Sequence, residues 1–334
     1  MMIINAILFV MPFKKFFAPI LIMILVLTAG IGGYVYTLSQ PVSEDEAKTQ
    51  FVIPRGQAVS IIADRLKEKN LIKSSLAFRL TVKKQGLEEK LQSGSFQLSA
   101  NMTPSEIATA LTQGTNDIWV TILEGWRVEQ VAASFAEYGL DQVKRDEFLS
   151  LTLGQEGQIF PDTYLFAKES TAATVYRAIK DNFDKKVVIG LADEIEQSPR
   201  SFDEVLVMAS IVERESRGYE EMRHVAGILW NRYDMGMALQ ADATLQYIKG
   251  YDSIIQSWWE PPLAADKTLE SPFNTYLHPG LPPRPICNPG LDAIMAVLDP
   301  ALTSDLFYLH GRNGEIHYGE NLEEHNANIQ QYLR

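Results

Sequence analysis

The chain opens on an uninterrupted apolar run: Phe16 to Leu38, FFAPILIMILVLTAGIGGYVYTL, is 23 residues without a charge. Roughly 20 apolar residues at about 1.5 Å of helical rise cross a bilayer core, so this run predicts a membrane-spanning helix. Beyond it the pattern becomes periodic. Residues 51–71, FVIPRGQAVSIIADRLKEKNL, and residues 120–140, VTILEGWRVEQVAASFAEYGL, align at a constant offset of 69. The offset pairs Gly56 with Gly125, Ala63 with Ala132, Leu66 with Phe135 and Leu71 with Leu140. Each segment starts with a short β-branched run, turns at glycine and continues with apolar residues at helical spacing. Each closes at Asn70 or Gly139, residue types that tolerate a left-handed helix cap. Two strand–turn–helix units are therefore predicted.

Between them, Ser95-Phe96-Gln97-Leu98 reads as a strand. A helix then starts at Thr103-Pro104-Ser105-Glu106, with Thr103 as N-cap, Pro104 in the first turn and Glu106 in capping-box spacing; it runs to about Gln113 and stops at Gly114. A further helix is expected from Ala172 to about Lys185. Strand–helix–helix–strand modules of this kind resemble LysM-like carbohydrate-binding units; the alternative is a plain α+β spacer.

The best chemical candidate lies farther on. Ser201-Phe202-Asp203-Glu204 is a second capping box, and Val205 to Val212 is apolar on nearly every face, the mark of a buried helix. Two acids follow, Glu213 and Glu215. At about 100° per residue, Glu213 stands over Leu206, Ala209 and Ser210, the last two small enough to open onto a cleft. Glu215 lies about 200° away and faces elsewhere. A carboxyl at the end of a buried helix loses hydration and feels the negative helix terminus, so its neutral acid form is favoured. That form protonates a leaving oxygen in glycosidic cleavage. The competing reading pairs Glu213 with a nearby arginine.

Composition narrows the classes. Formal charge is −12, which argues against nucleic-acid binding. The single Cys287 excludes an intrachain disulfide framework, and five scattered histidines give no metal-ligand spacing. Lys14 and Lys15 precede the apolar run while Glu44-Asp45-Glu46 follows, which orients the short N-terminus to the cytoplasm and the bulk of the chain outside. The run is too long, and lacks the small-residue end, of a cleaved signal peptide. A largely apolar decapeptide, MMIINAILFV, precedes Met11-Pro12-Phe13-Lys14-Lys15, and a start at Met11 gives a more ordinary basic flank. Phe160-Pro161-Asp162-Thr163-Tyr164 and Trp258-Trp259 could line a sugar groove or simply pack. His278, His317 and His325 read as hydrogen-bonded loop residues.

VMASIVERES resembles the catalytic-helix motif of the YceG-like family, the membrane-anchored endolytic murein transglycosylases. Further matches follow in the family's order: Asn231-Arg232-Tyr233; Leu239-Gln240-Ala241-Asp242-Ala243-Thr244; Phe273-Asn274-Thr275-Tyr276 with Gly280-Leu281-Pro282-Pro283; Ile286-Cys287-Asn288-Pro289-Gly290; and His317-Tyr318 with Glu324-His325-Asn326. Ala241 and Ala243 depart from the Thr or Ser and Pro expected there, and Tyr318 stands where Phe is commoner.

The resemblance implies an α+β fold: a cytoplasmic stretch 1–15, a transmembrane helix 16–38, a linker 39–50, a LysM-like subdomain 51–117 and a catalytic domain 118–334 around a lysozyme-like buried helix. It implies Glu213 as the catalytic acid and Gln240, Asp242, Thr244, Asn274, Tyr276 and Asn288 as substrate-binding residues, with no metal and no cofactor. The implied substrate is the glycan strand of peptidoglycan, cut between MurNAc and GlcNAc to leave a 1,6-anhydro end. Implied neighbours are peptidoglycan synthases (penicillin-binding proteins) in the cytoplasmic membrane. Two alternatives stay open: a hydrolase of the same polymer using Glu213 with Asp242, and a wall-binding scaffold without catalysis.

Overall fold

A computed structural model describes residues 14–54, 56–115 and 117–333, without the side chains of 14–22, 24, 25 and 31. The stretch 1–13, including the Met11 start and most of the cytoplasmic segment, lies outside the described residues. Helix α1 (Lys14–Leu38) is one continuous helix of 25 residues, about 37 Å long at its helical rise. Among the described residues, no helix is long and apolar enough to cross a membrane. Part of the expected span falls on the side chains left undescribed.

The chain divides into two compact units, Met1–Asp117 and Ile118–Arg334. In the first, β1 (Lys48–Ile53), α2 (Val59–Glu68), α3 (Ser75–Gln85), β2 (Gly94–Ser99) and α4 (Pro104–Ala110) follow in order. The strands pair antiparallel, with Phe51 opposite Phe96. Those rings and Ile62, Leu66, Phe78, Val82 and Ile107 fill one core. The Thr103–Glu106 capping box forms as its spacing requires: Glu106 N–H donates to Thr103 Oγ1, and Thr103 N–H donates to the Glu106 carboxylate.

The second unit begins by repeating this plan: β3 (Asp117–Thr121), α5 (Val128–Glu137), α6 (Arg145–Leu151) and β4 (Thr163–Ala167), with β3 and β4 paired. Helix α5 sits 69 residues after α2 at both ends. Gly56 and Gly125 share φ +73°, the left-handed conformation a side chain would strain. The duplication therefore extends past the two strand–turn–helix segments to a whole strand–helix–helix–strand unit. Its core, built on Val120, Val131, Phe135, Phe148 and Phe166, also takes Val175 and Ile179 of α7 (Ala172–Phe183). Phe160–Tyr164 packs on its own unit, with the Tyr164 hydroxyl donating to Phe160 O at 2.7 Å.

A π-helical turn, Asp184–Ile189, leads to α8 (Ala192–Gln197) and then to α9 (Phe202–Glu215). The Ser201–Glu204 capping box starts α9, and every residue from Val205 to Val212 is buried. It is enclosed by α10 (Tyr219–Asp234), α11 (Asp242–Lys249) and α12 (Leu291–Leu298). Because all its faces are covered, the helix can present chemistry only at its C-terminal end. The chain finishes with an antiparallel hairpin, β5 (Phe307–His310) and β6 (Ile316–Gly319), covered by α13 (Leu322–Tyr332).

Candidate functional site

The two glutamates at the end of α9 enter different surroundings, as their spacing demands. Glu213 points into the packed loop after residue 285. Its Oε2 accepts from Gly290 N–H at 2.9 Å. Gly290 has no Cβ where the Glu124 side chain lies against it, so the two carboxyls crowd one turn. Burial, opposed by the Gly290 hydrogen bond and assisted by the Glu124 charge, raises Glu213 to about 7. The small residues below it are not an opening. Ser210 Oγ accepts from Ile286 N–H at 3.0 Å and Ser210 O from the Cys287 thiol at 3.2 Å, so the loop fills that sector.

Glu215 faces the opposite way, into a cavity of about 470 Å³ lined also by Arg232, Gln240, Asp242, Lys267, Tyr276, Tyr308, His310 and His325. Its Oε2 accepts from the Tyr308 hydroxyl at 3.1 Å and its Oε1 from Ala243 N–H at 3.3 Å. Burial raises its pKa; the Ala243 and Tyr308 hydrogen bonds oppose the rise and the charge of Asp242 adds to it. Arg232, held by the carbonyls of Leu306 (2.5 Å) and Leu239 (2.8 Å), supplies one fixed positive charge of the cavity wall beside Lys267.

The six expected substrate-binding residues split in two. Gln240, Asp242 and Tyr276 reach this cavity. Tyr276 donates its hydroxyl hydrogen to Asp242 Oδ1 at 2.7 Å, and Lys267 Nζ sits 4.5 Å above the tyrosine ring. Gln240 is held at φ +51° with its N–H on Thr275 O.

The other three, Thr244, Asn274 and Asn288, expose none of their surface and do not line this cavity. Thr244 Oγ1 donates to Ala241 O and meets Thr275 Oγ1 at 2.9 Å, bolting the 239–244 loop to the 273–276 loop. Asn274 Nδ2 donates to the carbonyls of Lys267 and Leu269. Asn288 Oδ1 accepts from Gly157 and Ile159 N–H, and its Nδ2 donates to Trp126 O and Glu156 Oε1. These side chains satisfy backbone groups that irregular loops would otherwise leave unpaired; they shape the cavity from behind.

Glu215, Arg232, Lys267, Tyr308 and His310 are polar cavity residues that the sequence pattern left without a role. Arg232 lay inside a matched segment, but periodicity gives no sign of Tyr308 beside α9, 93 residues from Glu215. The tryptophan pair braces structure: Trp259 Nε1 donates to Gln130 Oε1, and Arg127 lies over Trp258. His317 stacks on Tyr332 and His325 on Phe307. His278 is exposed. Among the described residues no cluster of three or more His, Cys, Asp or Glu side chains could hold a metal ion.

A half-buried glutamate at the end of a core helix, set in a polar cavity of hydroxyl, amide and carboxylate groups, has the chemistry that acid–base work on a hydroxyl-rich substrate requires. The sequence model of the YceG-like family matches residues 51–331. A Bacillus subtilis protein named endolytic murein transglycosylase is 31% identical over 90% of this chain and 90% of its own length. A Streptococcus pneumoniae protein of the same name is 26% identical over 96% of this chain, which spans 65% of that relative's length. The fold is similar to that of a solved YceG-like protein from Listeria monocytogenes, with TM-score 0.53 and 24% identity over 85% of this chain and 99% of the other. The chain belongs to the YceG-like family.

Proposed function

We propose that this protein is an endolytic peptidoglycan lytic transglycosylase that uses Glu215 as its single acid and base. The observation that carries the assignment is Glu215 in the cavity shared with Gln240, Asp242 and Tyr276, whereas Glu213 is turned onto the Gly290 backbone. The names of the curated relatives supply the substrate class.

In the first step the neutral Glu215 carboxyl donates its proton to the glycosidic oxygen between MurNAc and GlcNAc, and the C1–O bond breaks. The resulting carboxylate then takes the proton of the muramyl C6 hydroxyl, whose oxygen closes on C1. The product is a 1,6-anhydro end, no water is consumed, and Glu215 returns to its acid form. Burial poises the acid, while Tyr308 O–H and Ala243 N–H stabilise the transient carboxylate. No second carboxylate nucleophile is needed, unlike a retaining hydrolase with two carboxyls about 5–5.5 Å apart.

Asp242 keeps a second reading in view, because it lies in the same cavity and could serve a hydrolase. Its bond to the Tyr276 hydroxyl favours a role in orienting sugar hydroxyls.

The remaining assignments extend this reading. Residues 16–38 anchor the chain in the cytoplasmic membrane with the N-terminus inside, and both compact units act outside on nascent strands beside a peptidoglycan synthase. The subdomain of residues 51–117, built on the β1–α2–α3–β2 unit, is a LysM-like glycan contact. Mass spectrometry of products from uncrosslinked strands tests the chemistry. Ends lighter by one water than hydrolytic ends support it, and reducing ends overturn it in favour of hydrolysis.

A further inference from the structure

Beside the site described lies a second cavity, of about 660 Å³, walled by Arg214, Glu215, Ser216, Arg217 and the hairpin turn from His310 to Gly314. It shares Glu215 and His310 with the first.

Three arginines line it. Arg127, Arg145, Arg200 and Arg223 of the same unit meet carboxylates. No ion pair joins Arg214, Arg217 or Arg312 to a carboxylate among the described residues. The acid nearest Arg312 in sequence, Glu315, is taken by Asn313 Nδ2 at 2.6 Å. Arg214 is held in place by stacking on Trp259, 4.0 Å from the ring centroid. Two buried polar atoms of this wall, Ser216 Oγ and Arg214 Nε, have no hydrogen-bond partner. Ser216 is 9% exposed, so its unused hydroxyl is a group set aside from bulk water. A buried donor without a partner costs free energy, and a chain of net charge −12 has carboxylates to spare for its arginines. Guanidinium groups and a hydroxyl left open together suit a planar carboxylate.

Resting on the reading of Glu215 above, we propose that this second cavity is a subsite for the carboxylates of the peptide stem carried by the muramyl residue at the cleavage point. On a glycan strand every second sugar bears a lactyl-linked peptide, so an acidic stem always hangs beside an internal MurNAc–GlcNAc bond. The other anion of nascent strands, the lipid-linked pyrophosphate, occurs only at one end and is remote from an internal bond. The adjoining positions of the two cavities therefore match the stem. Glu215 forms the shared wall, and Arg217 and Arg312 grip the stem while the glycan lies in the first cavity.

The test compares the full-length protein with its Arg217→Gln/Arg312→Gln variant in detergent. The substrates are uncrosslinked strands with free stems, the same strands with stem carboxylates amidated, and strands stripped of stems. The parent is expected to favour free over amidated stems by about tenfold in kcat/KM, and the variant to bring that ratio close to one. Equal cutting of free and amidated stems by the parent overturns the subsite. So does a variant that loses rate equally on all three substrates, since that is general damage.

A binding arm separates this idea from the chemistry. On the Glu215→Gln background, a soluble disaccharide tetrapeptide is titrated with and without the two arginine changes, and about tenfold weaker binding is expected without the arginines. Cleavage of no strand together with this binding loss sinks the transglycosylase reading and keeps the subsite. Cleavage with no carboxylate dependence does the reverse. Preference for a stem-free disaccharide pyrophosphate over the tetrapeptide overturns the stem assignment.

Discussion

The Tyr308 hydroxyl donates to Glu215 Oε2 at 3.1 Å, joining the last strand pair of the chain to the end of the buried helix. This hydrogen bond favours the carboxylate form and so lowers a pKa that burial has raised. Tyr308→Phe removes the donor without changing the ring. The Glu215 pKa then rises further, and because cleavage starts from the neutral acid, the alkaline limb of the kcat/KM profile moves to higher pH. Maximal rate falls by about tenfold, since the carboxylate of the second step has lost a stabilising donor. A profile unchanged in position would show that Tyr308 does not touch the working acid.

Asp242 tests the choice between transglycosylation and hydrolysis. Asp242→Asn keeps an oxygen to accept from Tyr276 O–H. It should cost less than about tenfold in rate and leave anhydro ends as the product. Loss of acid–base or nucleophilic help in a two-carboxylate hydrolase is larger, about 10²-fold or more. A loss of that size, with reducing ends from the parent, would assign Asp242 a chemical role.

Glu156 carries a stability signature. It is buried beside Arg127 and Arg284, and burial first, then the Glu129 charge, pushes it up to about 8. Glu213 stands at about 7. Folded-state values above the ordinary 4.5 mean that the native protein holds protons the unfolded chain has released. Stability is therefore full below about pH 4.5 as far as these groups are concerned and declines as pH rises toward 8. Glu156→Gln keeps an oxygen to accept from Val128 N–H and Asn288 Nδ2 and removes that group's ionisation. Thermal melts between pH 5 and 8 should flatten, with a gain on the order of 3 kcal/mol at pH 8. An unchanged slope contradicts the buried-proton account.

Asn288 separates a loop-holding role from a substrate contact. Asn288→Ala leaves Gly157 N–H and Ile159 N–H without their acceptor inside the fold. Urea unfolding is expected to show a loss of about 3 kcal/mol. A variant that kept its stability but lost substrate affinity would restore the direct contact.

Much of this architecture was legible in residue order. The 69-residue offset became two helices with matching bounds and two glycines at φ +73°. Both capping boxes formed at Thr103 and Ser201, and the apolar stretch after Ser201 became the buried helix. Helical geometry also separated the faces of Glu213 and Glu215. It could not say which face opens, because that depends on distant chain. Residues 286–290 close over Ser210, while Ala243 and Tyr308 border the space beside Glu215. Polar loop residues were equally ambiguous. The family resemblance implied Asn274 and Asn288 as substrate contacts, yet a long irregular segment needs such side chains to satisfy its own backbone.

The most direct measurement of the central claim sets Glu215→Gln beside Glu213→Gln on uncrosslinked glycan strands, with anhydro ends counted by mass spectrometry. Glu215→Gln should abolish them, a fall of at least about 10³-fold, because an amide can neither give nor take the proton. Glu213→Gln keeps an oxygen for Gly290 N–H and should retain activity within about tenfold of the parent. The opposite pattern, with Glu213→Gln inactive and Glu215→Gln active, would return the chemistry to the glutamate that faces Gly290.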